Sequence, residues 1–373
     1  MASVRLVNVT KKYGSKIALD NLNLEVKDKE FVVLAAPPGN GKSTLLRVIA
    51  GLEEPDSGEI YIGDKLVNGI PPKERDVSMV FENLALFPNK TGYNNIAFPL
   101  RQRKMPEEEI RKRVMDISKM LLIDHILDRL PQTFSGGEMQ RVALARAMIR
   151  QPKVYLMDQP LANLDALIRA NMRAEMKRLV KDIGQTIIFV THDQTEALSM
   201  GDRIGIMRTG KILQLAPPEL LYHAPANRYV ATFIGTRHLS LNMNFIDCTY
   251  EKKDGHAALM HGKLHLDVTD MKDEIDKKTT GKEVILGVRP EHLHLSREHK
   301  HKEALEGKVY VTEPLGSKAI VTLKVPLEKD EIIRAVTSAE FKTHIGETLW
   351  LEIDKARMYL FDKRTEEAIT TYA

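Results

Sequence analysis

At 373 residues the chain is too long for one ordinary domain, and two or three are expected. Its 43% hydrophobic and 28% charged residues mark a globular protein, and a net charge of +4 is too nearly balanced to argue for nucleic acid as the main partner. One cysteine, Cys248, excludes an internal disulfide and fits a reducing compartment. The N-terminal MASVRLVNVTKKYG holds no apolar run fit for a signal peptide, and no stretch approaches the ~20 apolar residues of a spanning helix.

In chain order, VRLVNV and FVVLAA read as strands with a polar turn, KDKE, between them. FVVLAA runs into PPGNGKST and then into the helical pattern TLLRVIAGL. Residues 105–150 read as helical: MPEEEIRKRVMDISKMLLI begins with Pro and acids and carries apolar residues at spacings of three and four. From residue 152 buried strands return as VYLMD, TIIFVTHD and RIGIMRTGKILQ, with a helix over Ile168–Asp182 between the first two. Apolar strands alternating with helices predict a mostly parallel α/β sheet. Beyond Gly235 the texture changes to short runs such as KLHLDV, EVILGVR, KVYVTE, AIVTLKV and LWLEID, which predict a small β-barrel or sandwich. The expected domains are therefore residues 1–235, with a helical subdomain at about 88–150, and residues 236–373.

Two segments carry the chemistry. Ala36-Pro-Pro-Gly-Asn-Gly-Lys-Ser-Thr44 matches G-x4-G-K-[ST] except at its first position. Strand, glycine loop and helix are the context in which backbone N–H groups around Pro38, Gly39, Asn40, Gly41 and Thr44 cradle phosphates. Lys42 would reach the β- and γ-phosphates and Ser43 would hold Mg²⁺. If Ala36 needed φ > 0, its methyl would cost about 1 kcal/mol and weaken binding. Pro38 fixes φ and removes one N–H, so one phosphate contact is expected to be missing. The second segment, VYLMDQP, ends an apolar strand in Asp158, a residue type suited to Mg²⁺. FSGGE opens the helix MQRVALARAMIR; taken alone it is equally a capped helix start.

The order Tyr13, residues 36–44, VFE at 80–82, FSGGE, VYLMDQP, NLD at 163–165 and THD at 191–193 resembles the ATPase subunit of ATP-binding-cassette importers. GVRPEH, EPLGSKAIV and YLFDKRTEEAI resemble the OB-like C-terminal regulatory domain of the sugar-importer branch typified by the maltose importer. The resemblance implies a P-loop α/β nucleotide-binding domain followed by an all-β domain, with ATP and Mg²⁺ as cofactors. It implies that Tyr13 stacks on adenine and that Ser43, Asp158 and position 82 attend the metal. It implies that Ser135, Gly136, Gly137 and Glu138 grip the γ-phosphate held by an opposing subunit. Asp165 would communicate across the dimer, and His192 would touch the γ-phosphate and the attacking water. Glu82–Leu100 would receive the coupling helix of a membrane-spanning partner. The implied partners are a second ATP-binding subunit, two permease subunits and, indirectly, an extracytoplasmic solute-binding protein, at the cytoplasmic face of the plasma membrane.

The family usually places Gln at 82 and Glu at 159; this chain has Glu82 and Gln159. An amide cannot take a proton, so the chain is expected to bind ATP and hydrolyse it slowly or not at all in its own site. Three explanations stand open. The site has degenerated inside a heterodimer, where this chain lends an intact FSGGE loop to a competent partner. Alternatively Glu82 compensates as the base. Or the subunit forms a slow homodimer, with Glu82 or His192 as catalytic group, or acts as a nucleotide-gated regulatory subunit. Pro38 and Asn40 stand where the family carries small residues, and with Ala36 they suggest relaxed demand on this half-site. The run HLHLSREHKHK offers His292, His294, His299 and His301; a solvated loop is preferred there to a Zn²⁺ site.

Overall fold

The computed structural model describes residues 2–162, 164–235, 241–299 and 301–371. Asn163 of the NLD segment, the residues just after the expected boundary (236–240) and Lys300 of the histidine run lie outside them. The chain divides into two compact units, Met1–Pro218 and Glu219–Ala373.

The first unit opens with β1 (Val4–Tyr13), β2 (Lys16–Val26) and β3 (Phe31–Ala35), then α1 (Lys42–Ala50), β4 (Ser57–Ile62), β5 (Lys65–Leu66) and β6 (Val77–Val80). Helices α2 (Gly92–Gln102), α3 (Glu107–Met120) and α4 (Gly136–Met148) follow as the expected helical subdomain. The unit closes with β7 (Val154–Asp158), α5 (Ala166–Ile183), β8 (Thr186–Thr191), α6 (Gln194–Met200), β9 (Arg203–Arg208) and β10 (Lys211–Ala216). The major sheet runs β10-β9-β3-β8-β7-β6. Its β9-β3-β8-β7-β6 pairs are parallel, and β10 adds an antiparallel edge. Every residue of β3, β7 and β8 is buried, the near-continuous apolar run that a parallel strand covered on both faces requires. A second, antiparallel sheet runs β2-β1-β4-β5. Alternation on β1 and β2 points Leu6, Leu22 and Leu24 into one core with Leu34, Leu45, Ile49, Leu156 and Ile188.

The second unit begins with α7 (Pro218–His223) and α8 (Arg228–Phe233), which lie ahead of the expected boundary at 235. Their contacts explain the difference. Ala368 N–H donates to Ala226 O at 3.0 Å, Arg228 N–H to Glu366 O at 2.9 Å, and Ala231 packs with Ile285, Tyr359 and Phe361. The fully buried Arg289 donates to the carbonyls of Tyr222 and Ile234 at 2.8 and 2.7 Å and lies 3.8 Å over the Tyr222 ring. The strands are β11 (Asn244–Lys253), β12 (His256–His261), β13 (Leu264–Asp267), β14 (Glu283–Val288), β15 (Leu293–Ser296), β16 (Leu305–Leu315), β17 (Lys318–Pro326), β18 (Asp330–Ser338), β19 (Thr348–Ile353), β20 (Met358–Asp362) and β21 (Ala368–Thr370). They form two antiparallel sheets, β13-β12-β11-β14-β20-β21 and β15-β19-β16-β17-β18, whose inner faces share one apolar core. Among the described residues, no helix is long and apolar enough to cross a membrane.

Candidate functional site

The C-terminal ends of β3, β7 and β8 lie side by side in the parallel sheet, the edge at which open α/β sheets bind ligands. Each end carries part of the site. After β3, Gly41 stands at φ 91° as the N-cap of α1 and makes no side-chain cap, so the first amides of α1 are left for an anion. A Cβ at Gly41 would come within 2.1 Å of Ala18 O, so only glycine fits there. Ala36 is absent from the positive-φ residues, so the methyl penalty weighed for that position does not arise. Its carbonyl instead accepts from Lys42 Nζ at 2.7 Å, and Pro37 O accepts from the same group at 3.0 Å. Lys42 is only 4% exposed; burial depresses its pKa, against the opposing pull of Asp158 and Glu82.

Ser43 Oγ donates to Asp158 Oδ1 at 3.0 Å, which brings the two expected metal-site residues together across 115 positions of sequence. Burial raises the Asp158 pKa, the Ser43 hydrogen bond opposes it, and the Glu82 carboxylate raises it further. Ser43 and Asp158 are oxygen donors of the kind that would hold Mg²⁺, and the Glu82 carboxylate is near enough to act on Asp158. Glu82, just past β6, is exposed, yet its charge is felt by both Lys42 and Asp158.

Gln159 Oε1 lies 2.6 Å from His192 Nδ1. In that contact the amide oxygen accepts and the Nδ1 ring nitrogen donates. Asp193, next in the chain, N-caps α6 through Glu196 N–H at 3.0 Å. Asp165 Oδ1 accepts from Ile168 N–H at 3.0 Å and so starts α5. Arg169, one turn further on, donates to Leu164 O at 2.8 Å and reaches Asp193 at 3.6 Å. It ties the turn after β7 to the turn after β8. Sequence reading passed it over, and its only signal is the i+4 spacing from Asp165. Tyr13 ends β1 at 44% exposure, its hydroxyl bonded to Glu53 and its ring 5.5 Å from Lys11 Nζ.

The FSGGE loop stands at the start of α4, beside the turn after β7: a Cβ at Gly136 would lie 3.1 Å from Leu164 Cδ2 and one at Gly137 3.5 Å from Ile168 Cγ2. Ser135 and Glu138 form a reciprocal capping box: Ser135 Oγ accepts from Glu138 N–H at 3.3 Å, and Glu138 Oε2 accepts from Ser135 N–H at 2.6 Å. Gly136 and Gly137 form the first turn behind that cap. The Glu82–Leu100 segment forms one wall of a groove of about 840 Å³ lined by Phe81, Phe87, Phe98, Arg103, Arg146 and Arg150 among others. Phe87 and Phe98 pack at 4.7 Å between ring centroids and are only half-buried. Arg146 holds the approach by donating to Leu84 O and Ala85 O at 2.6 and 2.7 Å.

The histidine run does not converge. His292 is buried, His299 stacks on Trp350 at 4.0 Å, and His301 approaches Glu352 at 3.8 Å. Among the described residues no three His, Cys, Asp or Glu are grouped to hold a metal ion. Cys248 is buried, and burial pushes its thiol up to about 12, which leaves it inert.

Comparison with known proteins agrees with this geometry. Residues 19–162 match the ABC transporter family, 242–293 the MalK OB fold domain and 286–361 the TOBE domain. The trehalose/maltose import ATP-binding protein MalK of Thermococcus litoralis is 44% identical over 99% of this chain and 100% of its own length. The oligosaccharides import ATP-binding protein MsmX of Bacillus subtilis is 43% identical over the same shares. The ATP-binding cassette MJ0796, in a dimeric post-hydrolysis state bound to ADP and Pi, superposes with a TM-score of 0.52 at 35% identity, covering 58% of this chain and 98% of that one. The cassette and the MalK-type OB and TOBE domains follow in that order, and full-length relatives share them at 43 and 44% identity; the chain therefore belongs to the ATP-binding subunits of ABC transporters, in the maltose-type branch.

Proposed function

We propose that the chain is the ATP-binding subunit of an importer for a carbohydrate, polyol or related small solute, in which ATP-driven closure of a cassette dimer moves the permease subunits. The names of its full-length relatives, which import trehalose and maltose or oligosaccharides, support the solute class. The half-buried aromatic groove beside Glu82–Leu100 is the surface offered to a permease coupling helix. ATP would lie with its base at Tyr13 and its phosphates on the 36–44 loop, and Mg²⁺ would bind at Ser43, Asp158 and Glu82. The Ser135–Glu138 loop would serve the opposing subunit's site, and Asp165 would link the two.

The observation that carries the mechanism is the Gln159–His192 pair at 2.6 Å. The group beside the expected water position is an amide whose oxygen already accepts from His192. It can orient a water but cannot take its proton. Loss of a general base costs about 10²–10⁴-fold in rate, or ~3–5 kcal/mol of barrier, while ground-state ATP binding is spared. Own-site hydrolysis is therefore slow, and a second ATP-binding subunit with a carboxylate at the corresponding position would complete a working pair. The well-formed FSGGE cap supports that asymmetry.

A second reading has its own observation. The Glu82 charge acts on Lys42 and Asp158, so one carboxylate remains near the reacting centre and serves as base. ATP turnover by the purified chain, alone and with a co-expressed second cassette, separates the two. The first reading expects a nearly inert chain whose Gln159→Glu variant gains about 10²–10⁴-fold. Ordinary turnover by the wild type, abolished in Glu82→Gln, decides for the second.

A further inference from the structure

Asn40 looked like decay at a position the family fills with a small residue. Its contacts say otherwise. Asn40 Oδ1 accepts from Thr209 N–H at 2.8 Å, across 169 positions of sequence. Asn40 Nδ2 donates to Pro37 O at 3.1 Å and Pro38 O at 3.3 Å. A flipped amide would set donor against donor at Thr209 and oxygen against two carbonyls, so the orientation is fixed by its partners.

Thr209 and Gly210 are the two central residues of the β9–β10 hairpin, at φ 47° and 79°, between the paired Arg208 and Lys211. Positive φ at both is the tight turn that suits a twisted hairpin. That turn is itself pressed onto the phosphate-loop region. A Cβ at Gly210 would lie 2.7 Å from Ala18 O, and one at Gly41 would lie 2.1 Å from the same atom. Asp20 N–H also donates to Gly210 O at 3.1 Å. The loop, the β2 backbone and the hairpin turn form one rigid cluster, and Asn40 is its side-chain tie.

We propose that Asn40 is a positioning residue of the phosphate loop, which braces the loop against the β9–β10 turn and eases the release of Lys42 to the incoming phosphates. Lys42 Nζ shares Pro37 O with Asn40 Nδ2, at 3.0 and 3.1 Å. Ala36 O and Pro37 O take two of the three ammonium donors, so β- and γ-phosphate oxygens compete with that carbonyl for Lys42. Asn40 keeps Pro37 O hydrogen-bonded when Lys42 turns toward a phosphate, so the loop carbonyl stays held in place. Asn40 also holds the loop at a point where Pro37 and Pro38 supply no N–H to fasten it.

The proposal rests on the ATP-binding reading, and the test keeps the two apart. Calorimetric titration of MgATP into the full chain compares wild type, Asn40→Ala and Lys42→Ala. Asn40→Ala is expected to weaken Kd roughly tenfold, with only a small fall in the nucleotide-free melting temperature because the three lost hydrogen bonds are exposed. In a Gln159→Glu background it raises KM more than it lowers kcat, a split that general loosening of the fold does not produce. Lys42→Ala losing affinity while Asn40→Ala binds like wild type overturns the brace and leaves the ATP reading standing. A wild type that takes no MgATP overturns both. If Asn40→Ala does not fold, amide exchange of Thr209 in the wild type decides: slow exchange supports the tie, and exchange at the rate of an open turn N–H ends it.

Discussion

Gln159 stands at φ 44°, a left-handed conformation that costs a non-glycine residue about 1 kcal/mol or more. Two backbone hydrogen bonds hold it there: its N–H on Val190 O at 3.0 Å, and its carbonyl under Ala162 N–H at 3.1 Å. The backbone sets where the side chain starts, and the contact with His192 holds its end. A glutamate of the same shape fits without moving the chain. Gln159→Glu is therefore expected to change turnover while leaving the melting temperature near that of the wild type; a large fall in stability would show that the amide was structurally required. The same separation of backbone from side chain explains Ala36. Its methyl is harmless because the first position of this loop does not need the conformation that favours glycine, whereas Gly41 does. Residue identity announced both motifs. The φ values that decide which departures matter were not in the sequence.

Two helix starts in the cassette are built in opposite ways. α1 begins at a glycine with no cap, and its free amides suit an anion held within this chain. α4 begins with the Ser135–Glu138 capping box, which closes those amides on the helix itself until a ligand competes for them. In the nucleotide-free chain Ser135→Ala should cost about 1 kcal/mol, read by urea unfolding and by faster exchange of the Glu138 amide. If neither changes, the cap contributes nothing measurable. S-G-G-E spacing made the cap legible in advance, since serine followed three residues later by glutamate is its signature. α5 was also legible, expected at Ile168–Asp182 and found at Ala166–Ile183. Its start is set by Asp165. α7 and α8 went unread because they are six residues each, too short for a helical period to declare itself.

The chain carries one tryptophan, Trp350 on β19, so its fluorescence reports on the C-terminal unit. That unit has a buried acid to test. Asp362 is 1% exposed; burial pushes its pKa up, but hydrogen bonds from Thr280 N–H and Oγ1 at 2.6 Å, with the N–H groups of Thr365 and Arg364 at 2.8 and 2.9 Å, outweigh it and hold the group well below its ordinary 3.8. A carboxylate with a depressed folded pKa stabilises the fold fully above its unfolded value and loses that contribution as pH falls through the folded one. Asp362→Ala is expected to cost about 2–3 kcal/mol at neutral pH, followed by Trp350 fluorescence in urea. The gap to wild type should narrow below pH 3.8. A difference that does not depend on pH would assign the loss to packing instead of charge.

By itself the sequence determined the two-part architecture, the parallel α/β cassette and the β-rich C-terminal unit, and it named the candidates for a nucleotide site. These follow from local patterns: apolar runs of strand length, glycines before a lysine, a capping spacing, an acid ending a buried strand. Only the tertiary structure decided which residues share a neighbourhood. It brought Ser43 to Asp158 across 115 positions and Asn40 to Thr209 across 169, and it tied the turns after β7 and β8 together through Arg169. Contacts over such separations depend on strand order and crossover geometry, which periodicity along the chain does not encode. For that reason Asn40, read from sequence as a sign of relaxed demand, became a working part of the site only once the β9–β10 turn was seen beside it.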